Sequence, residues 1–528
     1  MTERSVIMIK YIFIAIYIVF IVVIGIRSRK ASSAGSDGYL LGGRSIGPFA
    51  TAFSFAATYV SGVCLVNAGQ IGWNWGIGAI YNAWGNVLLS IMLSWMVLGR
   101  KARTMSINMN VQTLPDFLCT RYKTQFFKSV GSVVIFVFMV PYTAAVFSSL
   151  SYMFQTIFNI NYEVSVIVMA ALAAFYLAIG GYKAAAKIDL IQGSIMIVGG
   201  LAIAYFTLKA PEVGGLLNGI SKLKAIPEIT TSAGVTTTGE ELASFSLGGN
   251  WQLLAGLIPF VLMTSFAPNG LPHLATKFFA IKDEKSIKVG TITCTVIGII
   301  ILTAIHIPGY FVHLFYPDGL PAGGTNLLVP NMLTEILPEF WLAVVLLLIL
   351  SASMSTLAGL VLASTSALGM DFIKGYIKKD MSDKSVTTLM RILSIVFVAL
   401  ALVLALLNLG VISSIQSLAW GAMSGFFLSP YLYSIIGGKR TSSAAAITGG
   451  AVGISCALLI PTVVKAVVPA SIAVYCTTVN ACAVALILPL IVVPCVSIFT
   501  KKPSQEHLEF VYHKQKSADS NAEVKVEK

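Results

Sequence analysis

Phe55-Ala56-Ala57-Thr58-Tyr59-Val60-Ser61-Gly62 and Thr264-Ser265-Phe266-Ala267-Pro268-Asn269-Gly270-Leu271-Pro272-His273 are small, polar and proline-bearing runs inside two otherwise apolar segments. Proline lacks the amide proton a helix interior needs, and its ring collides with the preceding turn. The second segment, which also carries Pro259, therefore cannot be regular helix throughout. The first opens on Gly47-Pro48-Phe49 and loses its hydrocarbon character halfway. Either alone reads equally well as a kink, because membrane helices tolerate proline. Their spacing says more than their composition.

The chain has 528 residues, 56% hydrophobic and 11% charged. An average soluble domain carries roughly 25% charged residues, so these numbers exclude an ordinary soluble protein and predict a polytopic membrane protein. Apolar stretches fall near residues 7–27, 48–69, 76–99, 129–157, 162–181, 188–208 and 251–272, then 287–316, 339–366, 389–409, 411–436, 442–467 and 471–498. With about 20 apolar residues per crossing, this predicts about 13 transmembrane helices. The two interrupted segments are the second and the seventh. Two five-helix halves would thus each begin with a broken helix, the layout of an inverted-repeat transporter core whose unwound backbone lies at mid-membrane. The repeat is inferred from spacing, not from identity between the halves. The predicted fold is all-α, with one transmembrane domain over residues 1–500 and a polar, disordered cytoplasmic tail over 501–528.

The net charge of +13 would suit nucleic acid, but the basic residues sit in the gaps between apolar segments. Arg27, Arg29, Lys30, Arg44, then Arg100 to Lys128, Lys183, Lys187, the Lys277 to Lys288 and Lys374 to Arg391 loops, Lys439, Arg440 and the tail all fall on one side. Arg4, Lys10, Lys209, Lys222, Lys224 and Lys465 fall opposite, so about 29 of 35 basic residues share a side, which the positive-inside rule makes cytoplasmic. This predicts the N-terminus outside and the C-terminus inside. The basic residues after the first apolar segment argue for its retention as a span rather than for a cleaved signal peptide. The seven cysteines are scattered and form no CxxC pair, so neither a disulfide framework nor a zinc site is indicated. No nucleophile elbow, HExxH or paired-carboxylate motif is present, which argues against an enzyme.

Ala352, Ser355 and Thr356 stand at i, i+3 and i+4 in an apolar segment, so one helix face carries a carbonyl and two hydroxyls. Such oxygens suit a small hard cation. They equally suit hydrogen bonds to the preceding turn or a neighbouring helix.

Over roughly residues 8 to 500 the chain resembles the sodium:solute symporter family. The resemblance is carried in family order by Gly42-Gly43-Arg44-Ser45, by Thr113-Leu114-Pro115-Asp116-Phe117 ahead of Arg121-Tyr122, by Gly180-Gly181-Tyr182 leading to Asp189 and Gln192, by Gly270-Leu271-Pro272-His273 and by Ala352 to Thr356. It implies a sodium-coupled symporter in the plasma membrane, with sodium as coupling ion, a small-molecule substrate, the lipid bilayer around it, and no organic cofactor. By motif, sodium would be held by carbonyls of Ala57, Val60 and Ala352 and hydroxyls of Ser355 and Thr356. Asp189 would assist ion release, although its nearness to Lys183 and Lys187 also fits a simple ion pair at the interface. Where some relatives carry further serines for a second sodium, this chain has Ala358 and Gly359, which implies one coupled sodium.

Proline permeases of the family carry an aspartate beside the first break and a Trp and Tyr on the second. This chain has Tyr59, Thr264 and Pro268 instead. The 57–61 run, Gly270 to His273 and Lys282 to Lys285 look more like the pantothenate and monocarboxylate permeases, implying a small carboxylate cargo. An amino acid or sugar remains the alternative, and a membrane sensor module a more distant one. Tyr59, Asn67, Gln70, Tyr142, Thr264, Asn269 and Trp420 are the candidate cavity residues. His273, His306 and His313 need no function. Lys209 to Asn250 and Pro317 to Pro330 read as external loops or lids.

Overall fold

The computed structural model describes residues 10–21, 23, 38, 40–179, 182–408, 410–437 and 440–512. Arg27, Arg29, Lys30, Gly180, Gly181, Lys439 and the tail beyond residue 512 lie outside the described residues, as does the side chain of Lys183. Helices α1 (Lys10–Ile21), α2 (Pro48–Tyr59), α3 (Gly62–Trp75), α4 (residues 80–108), α5 (Leu114–Tyr122), α6 (Phe126–Phe158), α7 (Tyr162–Ile179) and α8 (Tyr182–Lys209) come first. After an intervening segment follow α9 (Trp251–Phe266), α10 (Pro272–Phe279), α11 (Glu284–Tyr310), α12 (Glu339–Ser366), α13 (Asp383–Leu406), α14 (Ile412–Ile435), α15 (Ser443–Leu459), α16 (Thr478–Phe499) and α17 (Gln505–Tyr512).

Among the described residues, nine helices are long and apolar enough to cross a membrane, and Lys10–Ile21 and Tyr162–Ala174 are shorter apolar helices. The chain is therefore a helical, multi-pass membrane protein. The outer face of α13 presents Ile392, Ile395, Val396, Leu400 and Val403 outward, as a lipid-facing helix must. Helix α12 is apolar nearly all round and correspondingly buried, packed along α8, α6 and α2. Elsewhere small residues let backbones approach: a Cβ on Gly453 of α15 would overlap the carbonyl of Gly425 in α14.

Both interruptions exist, at the residues that announce them. α2 ends with Val60 N–H donating to Ala56 O at 2.9 Å; Val60 and Ser61 are extended, and α3 restarts at Gly62. α9 passes through Pro259 unbroken, contrary to the weight that proline carries in the sequence, and stops at Phe266. A short 3-10 turn (Ala267–Gly270) and an extended Leu271 then lead to α10, with Pro272 at its first position, where a missing amide costs nothing.

The two broken helices are tied together outside the site. Ile46, just before α2, forms a parallel bridge with Ile281, just after α10, and Lys282 N–H donates to Ile46 O at 3.1 Å. Arg44, in the left-handed region at φ 52°, donates to Val111 O (2.7 Å) and to Ser106 Oγ (3.2 Å), while Arg103 Nε donates to Ile281 O (2.8 Å). The Gly-Gly-Arg-Ser motif is thus a brace between the start of α2 and the end of α4.

Three expectations are corrected. The intervening segment is more than loop: it holds a helix (Leu216–Lys224) and a two-stranded antiparallel hairpin (Ile229–Thr230 with Thr236–Thr237), the small exception to the all-α reading. Trp73 Nε1 donates to Thr230 O (3.1 Å) and Asn74 Oδ1 accepts from the Ser232 amide (2.9 Å), which fastens the hairpin to the end of α3. Second, part of the expected tail is the ordered helix α17. Its Leu508 and Val511 are buried, Arg121 Nε donates to Tyr512 Oη (2.9 Å), and Asn108 Nδ2 donates to Val511 O (3.0 Å). Apolar residues at 508 and 511 on one face explain the docking. Third, Lys277 does not belong to a cytoplasmic loop. It lies in α10 with a side chain only 4% exposed.

Candidate functional site

The break between α2 and α3 lies against the middle of α12. The contact is tight because Gly62 has no side chain: a Cβ there would sit 2.6 Å from Ser353 Oγ. Thr356 Oγ1 lies 2.9 Å from Thr58 O and 3.0 Å from Ala352 O, so its one proton bridges the break and its own helix. Ala57, Val60, Ala352, Ser355 and Thr356 are all buried at this junction. The structure brings the two expected sodium-ligand segments together, and Thr58, which the sequence reading passed over, is the residue through which they touch.

Hydroxyl protons give the local network a direction. Ser355 Oγ donates to Asp189 Oδ1 at 2.6 Å. Its proton is thereby committed, so in the 3.1 Å contact between Thr58 Oγ1 and Ser355 Oγ the threonine donates. Ser355 Oγ then keeps one lone pair free. On the other carboxylate oxygen, Ser54 Oγ donates to Asp189 Oδ2 at 2.5 Å and itself accepts from Lys277 Nζ at 2.6 Å, with Lys277 Nζ 3.6 Å from Oδ2. Asp189 is therefore no interfacial carboxylate paired with Lys187, which is exposed. It is 1% exposed and paired with Lys277. Sequence spacing missed this because the partner is on another helix.

Around these groups is a cavity of about 30 Å³, lined by Asp189, Lys277, Ser355, His273, Thr276, Ser366 and Gln112 among others, the room of about one or two waters. Ala358 and Gly359 also line it and contribute no side-chain oxygen.

A second cavity, of about 20 Å³, lies between the two broken helices. Of the candidate cavity residues, Tyr59, Asn67, Thr264 and Trp420 line it. Tyr142 stands behind, edge-on to Trp420 at 5.4 Å between ring centroids. Gln70 and Asn269 are not in the wall. Asn269 is instead spent on helix packing, donating to Leu89 O (3.1 Å) and Phe266 O (3.0 Å) and accepting from Ser94 Oγ.

Asn82, Asn86, His306 and Gln416 complete the wall and were not foreseen. They fall in two sets of polar contacts, one running from His306 through Asn82, Thr264 and Tyr59 to Asn86 and one between Asn67 and Gln416. His306 Nδ1–H donates to Leu302 O (2.7 Å), which leaves Nε2 to accept from Asn82 Nδ2 (3.0 Å), while Asn82 Oδ1 accepts from Thr264 Oγ1. Tyr59 Oη donates toward Asn86 Oδ1 (2.9 Å), and Asn67 Nδ2 donates to Gln416 Oε1 (3.2 Å). Among the described residues, Asn67 Oδ1 is buried without a hydrogen-bond partner. Of the other histidines, His313 Nε2–H donates to Trp73 O (2.9 Å) near the two-stranded hairpin, and the His273 ring lies 5.8 Å from that of Tyr142.

A helical membrane protein with two broken helices, a hydroxyl-rich junction at one break and a polar cavity between them has the architecture of a secondary transporter. The chain belongs to the sodium:solute symporter family, whose model matches residues 39–453. It is a sodium-coupled solute transporter of that family, not an enzyme. It is 28% identical over 455 residues to the sodium/proline symporter of Haemophilus influenzae, covering 83% of this chain and 85% of the relative. To the sodium/pantothenate symporter of Escherichia coli it is 25% identical over 441 residues, covering 83% and 87%. Its fold matches that of a Na+-coupled sialic acid symporter in a substrate-bound outward-open state, with a TM-score of 0.71 at 16% identity over 94% of this chain and 99% of the other.

Proposed function

We propose that this protein imports a small organic carboxylate, pantothenate-like or a short monocarboxylate, together with one sodium ion by alternating access. The observation that carries the reading is the meeting of residues close to both helix breaks, Tyr59 and Thr264, on one cavity whose described lining has amides, hydroxyls, an imidazole and an indole, and no charged side chain. An anion there would draw its compensation from a nearby sodium, from Trp420 Nε1 and the amides, and from backbone dipoles at the breaks. The sodium would sit at the carbonyls of Ala57, Val60 and Ala352 and the hydroxyls of Ser355 and Thr356. Two hydroxyls and buried carbonyls form a neutral oxygen set that fits a hard monovalent cation and leaves its charge to be felt by the cargo.

The resemblance of motifs to pantothenate and monocarboxylate permeases supports this cargo. A second reading, an amino acid, is favoured by the similarity to sodium/proline symporters. Purified protein in proteoliposomes with an inward sodium gradient decides between them: labelled pantothenate or lactate should accumulate and proline and glucose should not compete. Sodium-driven proline uptake alone would overturn the carboxylate reading.

The same proposal includes thirteen crossings arranged as a five-plus-five core in the plasma membrane, with the N-terminus outside and the C-terminal tail in the cytoplasm. A reporter fused after Lys528 should be active only on the cytoplasmic side.

A further inference from the structure

Four helices meet at one buried charge. Asp189 comes from α8, Ser54 from α2, Lys277 from α10 and Ser355 from α12, so both broken helices contribute to the surroundings of a single carboxylate. A carboxylate removed from water requires a compensating cation, and a mobile or a tethered one will serve. Here the tethered one is 3.6 Å away and shares Ser54 with it.

We propose that the Lys277 ammonium is a resident cation at Asp189, holding the place that a second sodium would take and setting, through Ser355, how strongly the adjacent oxygen cage attracts its own sodium. The inference rests on the reading that Ser355 ligates sodium. Ser355 links the two charges directly: its proton goes to Asp189 and its oxygen, which accepts from Thr58 beside the break, has one lone pair to spare, so a more negative Asp189 makes that oxygen a stronger ligand. Lys277 withdraws part of that negative charge. The position one turn farther along α12 is filled by Ala358 and Gly359, so a mobile sodium at Asp189 would find no further hydroxyl there, whereas an ammonium brings its own donors and needs none. Removing the ammonium while keeping the carboxylate turns the pair into an anionic cation site inside a cavity large enough for a small ion and water.

The test is the sodium dependence of uptake in proteoliposomes for wild type, Lys277→Arg, Lys277→Gln and the double variant Lys277→Gln with Asp189→Asn. Wild type and Lys277→Arg should give a Hill coefficient of about one; Lys277→Gln should move it toward two and shift half-saturating sodium by about tenfold; the double variant should return it to about one. A purely structural ion pair would change yield and rate but not the Hill coefficient. A Lys277→Gln protein that transports with an unchanged coefficient and unchanged half-saturation overturns the proposal. Should that variant fail to fold, counting ²²Na+ bound to purified wild-type protein decides: about one ion per chain supports the resident ammonium, and about two overturns it. Ser355→Ala is run beside these. If it leaves sodium dependence untouched, the placement of the sodium cage has failed, while the Lys277 and Asp189 variants still report on the carboxylate.

Discussion

Thr356 Oγ1 reaches 2.9 Å across from α12 to the carbonyl of Thr58 at the broken end of α2. That single hydroxyl joins the two segments whose oxygens make the proposed sodium cage. Thr356→Ala and Ser355→Ala should each raise the sodium concentration for half-maximal uptake by about tenfold or more, the loss of roughly 1.4 kcal/mol of ion binding. Thr356→Ser, which keeps the oxygen, should stay near wild type. Uptake measured against a sodium series in proteoliposomes checks all three, and unchanged affinity in both alanine variants places the ion elsewhere.

The cavity wall separates binding from packing. Asn67→Ala and Gln416→Ala remove side chains that bond each other across the cavity at 3.2 Å. They should raise KM for the cargo severalfold while half-saturating sodium stays within about twofold. Asn269→Ala should behave differently. Asn269 donates to the carbonyls of Leu89 and Phe266 and accepts from the buried Ser94 hydroxyl, so its loss removes these bonds and takes away the Ser94 acceptor, at a cost of about 1–3 kcal/mol. The readout is a lower unfolding temperature in detergent with KM unchanged in the surviving protein.

Close backbone packing makes a third prediction. A methyl on Gly72 of α3 would overlap the carbonyl of Gly309 in α11, whereas one on Gly47 meets nothing within 4 Å. Gly72→Ala should destabilise by about 1–3 kcal/mol or abolish folded yield, and Gly47→Ala should be close to neutral. Thermal unfolding of the two side by side is the measurement.

If one sodium accompanies a monoanion, no net charge crosses. The membrane potential, worth about 2.3 kcal/mol per charge per 100 mV, would then not drive uptake, and a tenfold sodium gradient would supply about 1.4 kcal/mol. Cargo applied to a voltage-clamped membrane should evoke no steady current. A sustained inward current would show that the cargo is neutral or that more than one sodium moves.

The sequence was most legible where chemistry departs from hydrocarbon. Proline and glycine in the 264–273 run locate the second break to within a residue or two, because their backbone constraints are local. The paired hydroxyls on α12 point to the junction for the same reason. What could not be read were partnerships made in three dimensions. Lys277 looks like one more positive residue near a loop until α10 is seen to turn it inward toward Asp189, 88 positions earlier. His306, Asn82 and Gln416 are ordinary polar residues in separate helices, and only packing brings them to one wall. Pro259 misled in the opposite direction, since a helix surrounded by others can absorb a proline without breaking.

Ile46 and Ile281 sit at the foot of the two broken helices, and the strand-like bridge between them, with Lys282 N–H on Ile46 O at 3.1 Å, pins one to the other. Arg44, beside Ile46, reinforces the same joint by reaching Ser106 of α4, and Arg103 of α4 does so by donating to Ile281 O. The joint holds the start of α2 and the end of α10 at one spacing, so a tilt of either broken helix about that end displaces the other there. If sodium and cargo occupy the proposed places, the joint offers a backbone route by which one is felt at the other, without any wire of side chains between them.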